Sequence, residues 1–328
     1  MNTVGLLGAL GVGAAFGYGA QRGAFCMNSG FRGAIEGEWT KVKALGLAVA
    51  VQLLLLPAIF ATGLARTAEL PLPLAAAVTG GLLFGASMRW AGGCAAGVWY
   101  KLGAGDVGAL LAILGMALGA TASDAGPFAP MRVALQQAIP NAASWTPPSL
   151  LSAAAGLLLL AGLSRLEPGR AGVWEWRTTG LWIGVAAVLA WPLSAAAGRG
   201  FGLAVVPGTT GLLAGIAGRA FPAWDLLLVL GVLAGGWLAA RRNGTVALNA
   251  PKAAALVKRF AGGIGLGAGA SIATGCTVGQ GLTGLALLAP SSFVVMAAIF
   301  AGSALATLAA RRLEGSLNRV AAPAISQQ

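Results

Sequence analysis

Long apolar runs alternate with short polar or glycine-rich interruptions along almost the whole chain. Val4 to Ala20, Leu45 to Leu64, Leu150 to Leu163, Thr179 to Leu193, Trp224 to Ala240 and Phe293 to Ala310 approach the roughly 20 apolar residues that cross a bilayer as helix. A third span is expected between the Pro71-Leu72-Pro73 break and Cys94, and a fourth from about Asp106 to Thr121. Ser123 to Pro148, with five prolines and two charged residues, reads as a long external loop. Leu203 to Ala217 is a re-entrant candidate because Pro207-Gly208 interrupts it, and so is Gln21 to Arg32, too polar for lipid and too apolar for a plain loop. Pro251 to Phe260 reads as a short amphipathic interfacial helix, since Lys252, Lys258 and Arg259 interrupt its apolar residues. The expected fold is an all-α polytopic membrane protein with about nine transmembrane helices plus re-entrant half-helices.

A duplication organises these segments. Adding 182 to Gly85, Ala86, Ala91, Gly93, Cys94 and Gly97 lands on Gly267, Ala268, Ala273, Gly275, Cys276 and Gly279, with every residue type unchanged. Glycine costs about 1 kcal/mol per helical position relative to alanine, so each copy is expected to break a helix. Subtracting 177 from Arg199 and Gly200 likewise lands on Arg22 and Gly23. Residues 1–328 are therefore read as one transport domain of two internally repeated halves, about 1–148 and 149–328.

Composition agrees with the span pattern: 57% of residues are hydrophobic, 9% are charged, and the mean hydropathy is +0.81. The net charge of +12 would suggest nucleic acid in a soluble protein, but its residues stand at segment ends, among them Lys41, Lys43, Arg165, Arg177, Arg241 and Arg242. That placement follows the positive-inside rule, so no nucleic-acid partner is expected. With Arg165 to Arg177, Arg241 to Arg259 and Arg311 to Arg319 in the cytoplasm, the N-terminus lies outside and the C-terminus inside. No Lys or Arg precedes the first apolar run, so it reads as a retained span rather than a signal peptide. The nine carboxylates fall mostly at segment ends, which argues against an acidic proton or sodium relay.

Candidate chemistry rests on three cysteines, Cys26, Cys94 and Cys276, each in a glycine-flanked break. An odd count without paired spacing argues against a disulfide framework. The absence of histidine and of CxxC argues against zinc, haem attachment or an iron-sulfur cluster, and no cofactor or metal is expected. Thiols are soft and polarizable and suit a cargo that presents sulfur. Helix N-termini at such breaks favour an anion. Candidate path residues beside the thiols are Arg22, Gly93, Gly97, Gly275, Thr277 and Gly279. Arg22 and Arg199 either attract the anion or cap helix ends, and Thr277 and Gln280 either donate to anion oxygens or pack. Trp90 and Trp99 flank the first cysteine loop and are either interfacial anchors or walls of the path.

Arg22-Gly23-Ala24-Phe25-Cys26 with Phe31-Arg32, Gly92-Gly93-Cys94-Ala95-Ala96-Gly97 with Gly103-Ala104-Gly105, and Gly275-Cys276-Thr277-Val278-Gly279 resemble the signatures of the YeeE/YedE family of bacterial sulfur-transport membrane proteins. The resemblance covers nearly the whole chain. It implies thiosulfate uptake across the inner membrane, with the terminal sulfur passed along Cys26, Cys94 and Cys276 by S–H to S hydrogen bonds. It also implies work with a small cytoplasmic sulfur carrier of the TusA type. Two other readings stand beside uptake: a membrane sulfurtransferase or thiol oxidoreductase, and a membrane subunit that docks a soluble sulfur carrier.

Overall fold

The computed structural model describes residues 3–66, 70–138, 149–218 and 221–321. Backbone N–H and C=O groups find no water in a hydrocarbon core and must pair within their own segment, which helices achieve. The described residues form α1 (Thr3–Arg22), α2 (Met27–Ile35), α3 (Thr40–Ala61), α4 (Leu74–Ala91), α5 (Ala95–Gly103), α6 (Val107–Asp124) and α7 (Ala129–Gln137). There follow α8 (Ser149–Ser164), α9 (Trp176–Ala196), α10 (Val206–Ile216), α11 (Ala223–Arg242), α12 (Ala253–Ile272), a π turn (Gly279–Gly284), a 3-10 turn (Leu285–Leu287) and α13 (Pro290–Ala321).

Six of these units are long and apolar enough to cross a membrane: α1 continued into α2, α3, α6, α9, α11 and Pro290–Leu313 of α13. The other three expected crossings fall short in different ways. α4 and α12 have the length, at 18 and 20 residues, but carry glycines with Arg89, or with Lys258 and Arg259. α8 is apolar but has only 16 residues.

Two local expectations change. Pro251 to Phe260 is not a separate interfacial helix: α12 runs unbroken from Ala253 to Ile272, so Lys258 and Arg259 stand in its second turn. Within Ser123 to Pro148, α7 forms where a loop was expected, with Pro130 at its start, where a missing N–H costs nothing. Arg132 secures it by donating from Nε to the Ser123 carbonyl at 2.9 Å. Residues 139–148, with Pro140, Pro147, Pro148 and the expected boundary between the halves, lie outside the described residues.

Glycine explains how the helices approach. α1 packs on α11 and α9, α3 on α8 and α9, α6 on α12, and α4 on both α12 and α13. A Cβ on Gly85 would stand 2.1 Å from the Ile299 carbonyl oxygen of α13, and one on Gly267 would stand 2.0 Å from that of Met116 on α6. These two glycines are therefore contact points where backbones touch, the small-residue packing that lipid favours because it gives no hydrophobic drive between helices. Gly267→Leu is expected to cost at least about 1–3 kcal/mol by prising α12 from α6. A lowered Tm in detergent checks it; an unchanged Tm would mean the seam is looser than described.

One buried cluster runs through both ends of the chain, from Val12 and Phe16 on α1 to Val295 and Ile299 on α13, and all three cysteines belong to it.

Candidate functional site

Each cysteine follows a helix end that turns sharply. Gly92 closes α4 in the left-handed conformation (φ +77), and Cys94 then lies extended as the cap of α5. Cys26 caps α2 in the same way after Ala24 (φ +47), and Cys276 follows Thr274 (φ +59). The residue two before every cysteine is thus left-handed, and at two of the three it is not glycine. Such a conformation costs an ordinary L-residue about 1–2 kcal/mol, the kind of strain that gathers at functional sites. Its effect here is to reverse the chain and aim the thiol inward.

The turns bring Cys26 and Cys94 together. Their Sγ atoms are 3.8 Å apart, and both are free thiols buried at 2% and 3% exposure. That distance is far beyond a disulfide bond of about 2.05 Å and suits an S–H to S hydrogen bond. The amino ends of α2 and α5 ring the pair: the Cys94 N–H donates to Cys26 Sγ at 3.5 Å, and the N–H groups of Met27 and Gly97 face Cys94 Sγ. Free N–H groups of helix ends therefore converge on the sulfurs, an arrangement that accommodates negative charge. Gly97 makes the space, since a Cβ there would stand 2.6 Å from Cys26 Sγ and 3.3 Å from Cys94 Sγ. At Gly93 a Cβ would stand 3.2 Å from the Val98 nitrogen, so that loop is tight as well.

Cys276 lies in a separate loop, with the N–H groups of Val278 and Gly279 facing its sulfur. It lines a pocket of about 510 Å³ together with Arg199, Phe201, Thr274, Gly275 and Gly279. Nothing lies within 4 Å of a Cβ built on Gly279, whereas one on Gly275 would meet Gln280 Cγ at 2.8 Å. A second pocket, of about 390 Å³, is lined by Gln21, Ala24, Tyr100, Lys101 and Asn249. Tyr100 is buried on α5, and its hydroxyl interacts with Cys26. The two pockets sit at opposite ends of α6, one touching Asp124 and the other Asp106. Its 18 residues set those ends about 27 Å apart at about 1.5 Å per residue.

The other candidates divide by what they touch. Thr277 is buried at 2% exposure beside Cys276, and its hydroxyl has no partner among the described residues. Gln280 is fully engaged: Nε2 donates to the Thr274 carbonyl at 3.1 Å, and Oε1 accepts from Ser292 Oγ at 2.6 Å. It braces the strained turn rather than facing a pocket. Arg22 donates to Asn243 Oδ1, stacks 5.6 Å over the Trp174 ring, and accepts at its carbonyl from Val173 N–H at 2.8 Å. It staples the segment before α9. Arg199 pairs with Asp225 at 2.9 Å and donates to the Phe201 and Gly202 carbonyls beside the Cys276 pocket. Trp99 is buried and donates to Thr209 Oγ1 at 3.0 Å, while Trp90 is 62% exposed and turned outward.

Sequence reading missed Asn28. It is 7% exposed, two residues after Cys26 in the first turn of α2, and its Oδ1 has no partner among the described residues. A polar amide two residues after a candidate cysteine was the available signal.

Buried thiols set among helix amino ends, with pockets at either end of a spanning helix, define a multi-pass membrane protein built around a sulfur-lined interior. The sulphur transport family model (Sulf_transp) matches residues 22–305, and the chain belongs to that family. It is 30% identical over 310 residues to the "Thiosulfate transporter TsuA" of Escherichia coli (strain K12), covering 86% of this chain and 88% of that protein. It is also 30% identical over 313 residues to the "Thiosulfate transporter TsuA" of Spirochaeta thermophila, covering 88% and 93%.

Proposed function

We propose that this protein takes up thiosulfate across the bacterial inner membrane, and that Cys26, Cys94 and Cys276 hand its terminal sulfur from one pocket to the other. The observation that carries the reading is the Cys26–Cys94 pair, two free thiols 3.8 Å apart among helix N–H groups. The names of the two relatives support the choice of thiosulfate over other sulfur anions. In each step a thiol S–H donates to the sulfur of the anion while backbone N–H groups offset its charge. No covalent bond forms and no electrons move. Transport is favoured over a sulfurtransferase because the chain has no histidine to serve as a base, and intact-mass measurement after turnover is expected to find no adduct.

Thr277 is the side chain proposed to meet the sulfonate oxygens. It is buried next to Cys276, and its hydroxyl has no partner among the described residues. A buried polar group without a partner costs about 1–3 kcal/mol, which a passing anion would offset at Thr277 by accepting from its hydroxyl.

The two repeated halves are proposed to be α1 to α6 and α9 to α13. The order of a long helix, a cysteine-site or equivalent break, a short helix and two further long helices recurs in both. In this scheme α2, α5, α10 and the π turn are re-entrant pieces, and α4, α8 and α12 complete nine crossings. The end with Arg22, Lys101, Arg241 and Arg242 faces the cytoplasm, which places the N-terminus outside and the C-terminus inside. A TusA-type carrier would meet the smaller pocket there, where Lys101 presents a cation.

The test is binding of thiosulfate against sulfate to the purified, reduced protein by calorimetry, with Cys276→Ser alongside. Selective thiosulfate binding that weakens about tenfold in the variant is expected, the equivalent of about 1.4 kcal/mol. Equal binding of both anions, indifferent to the variant, would make the passage a general oxyanion path.

A further inference from the structure

Away from the cysteine pair, a pocket of about 500 Å³ opens between the ends of four helices. Its walls are Arg32 in the last turn of α2, Arg89 and Trp90 near the end of α4, Lys258 and Arg259 in the second turn of α12, and Leu313 on α13. Arg32 and Arg89 stand where helix carbonyl ends favour a cation. Lys258 and Arg259 stand near the amino end of α12, which offers no such reason for them. Neither Arg32 nor Lys258 makes an ion pair among the described residues, so their charge faces the pocket unneutralised by a carboxylate there.

Arg259 is held rigidly. It donates from Nη1 to Asp106 Oδ2 at 2.6 Å, and Asp106 Oδ1 in turn accepts from the Gly108 N–H at 3.0 Å. Two glycines make room for it: a Cβ on Gly92 would stand 3.2 Å from its Cζ, and one on Gly108 would stand 2.6 Å from its Cδ. Beside these cations the surface is apolar, with Trp90 and Leu313 exposed at 62% and 66%. A basic recess with an exposed indole and leucine at the end of membrane helices has the chemistry of the head-group layer.

We propose that this pocket is a site for one anionic phospholipid, its phosphate held by Arg32, Lys258 and the fixed guanidinium of Arg259, and its acyl chains lying along Trp90 and Leu313. The bound lipid would brace the Cys94 loop, because Gly92 lines the pocket two residues before that cysteine and its carbonyl accepts from Lys101 Nζ at 2.5 Å.

The test uses the full-length protein, delipidated in detergent, titrated with phosphatidylglycerol or phosphatidylcholine and followed by Tm and native mass spectrometry. Phosphatidylglycerol is expected to raise Tm by about 3 °C and to remain bound as one retained lipid, with phosphatidylcholine doing neither. The Arg32→Gln/Lys258→Gln variant is expected to lose both effects. Retention of either lipid alike, or of phosphatidylglycerol equally by the variant, would overturn the site. An equal Tm rise from inorganic phosphate or thiosulfate alone, without retained lipid, would overturn it in favour of a free-anion pocket. If neither lipid nor any of these anions shifts Tm or is retained, the lipid site is overturned. Should the variant fail to fold, the contrast between the two lipids on the unmodified protein still decides.

Discussion

Cys94→Ala is expected to abolish or reduce thiosulfate uptake into proteoliposomes by about tenfold or more, while the protein still folds. The magnitude follows from removing a hydrogen-bonding thiol that nothing else replaces, at about 1–1.5 kcal/mol per lost hydrogen bond. Stability should fall by only about 1 kcal/mol, too little to unfold the protein, because alanine keeps the Cβ and leaves a void the size of one sulfur. Cys26→Ala should behave alike, since its sulfur is the partner at 3.8 Å. If the two act as one station, the double variant will be scarcely worse than either single one, the non-additivity that marks residues sharing an interaction. Wild-type uptake by Cys94→Ala at normal protein level would end the relay, whatever became of the thiosulfate assignment.

The second large effect is on the fold. Arg199→Ala is expected to destabilise the protein by about 3–5 kcal/mol, because it leaves the Asp225 carboxyl buried at 3% side-chain exposure without its partner. The Phe201 and Gly202 carbonyls lose a donor in the same change. Asp225→Asn added to that variant should recover much of the loss, since it replaces the stranded carboxyl with a neutral amide. Thermal unfolding of the three proteins checks this, and failure of the double variant to improve on the single one would assign the loss to the two carbonyls. Uptake by the recovered double variant then tells whether Arg199 also draws the anion toward the Cys276 pocket: a raised KM would say that it does.

Much of the candidate site was legible because its signals are local. A glycine-flanked cysteine between apolar runs predicts a helix break wherever it occurs, and all three breaks are present, at Cys26, Cys94 and Cys276. The reversals at Ala24 and Thr274 were not legible. Neither residue prefers a left-handed backbone, and both are held there by their surroundings, Thr274 in part by Gln280. The roles of Arg22 and Gln280 were open for the same reason. Their partners Asn243, Trp174 and Ser292 are chosen by packing, and a side chain's preference for capping or for anions does not say which partner is near.

The sequence by itself determined that the chain is helical and membrane-embedded, where its main apolar spans run, and that its cysteines sit at breaks, since hydropathy and glycine's helix cost act within a few residues. Only the tertiary structure decided that Cys26 meets Cys94, that Gly97 leaves room for their sulfurs, and that Gly85 and Gly267 are contact points between helices. It also decided that pockets lie at both ends of α6. These features join residues far apart along the chain, Cys26 and Cys94 by 68 positions, and such contacts are set by which helix faces can approach closely enough to exclude lipid.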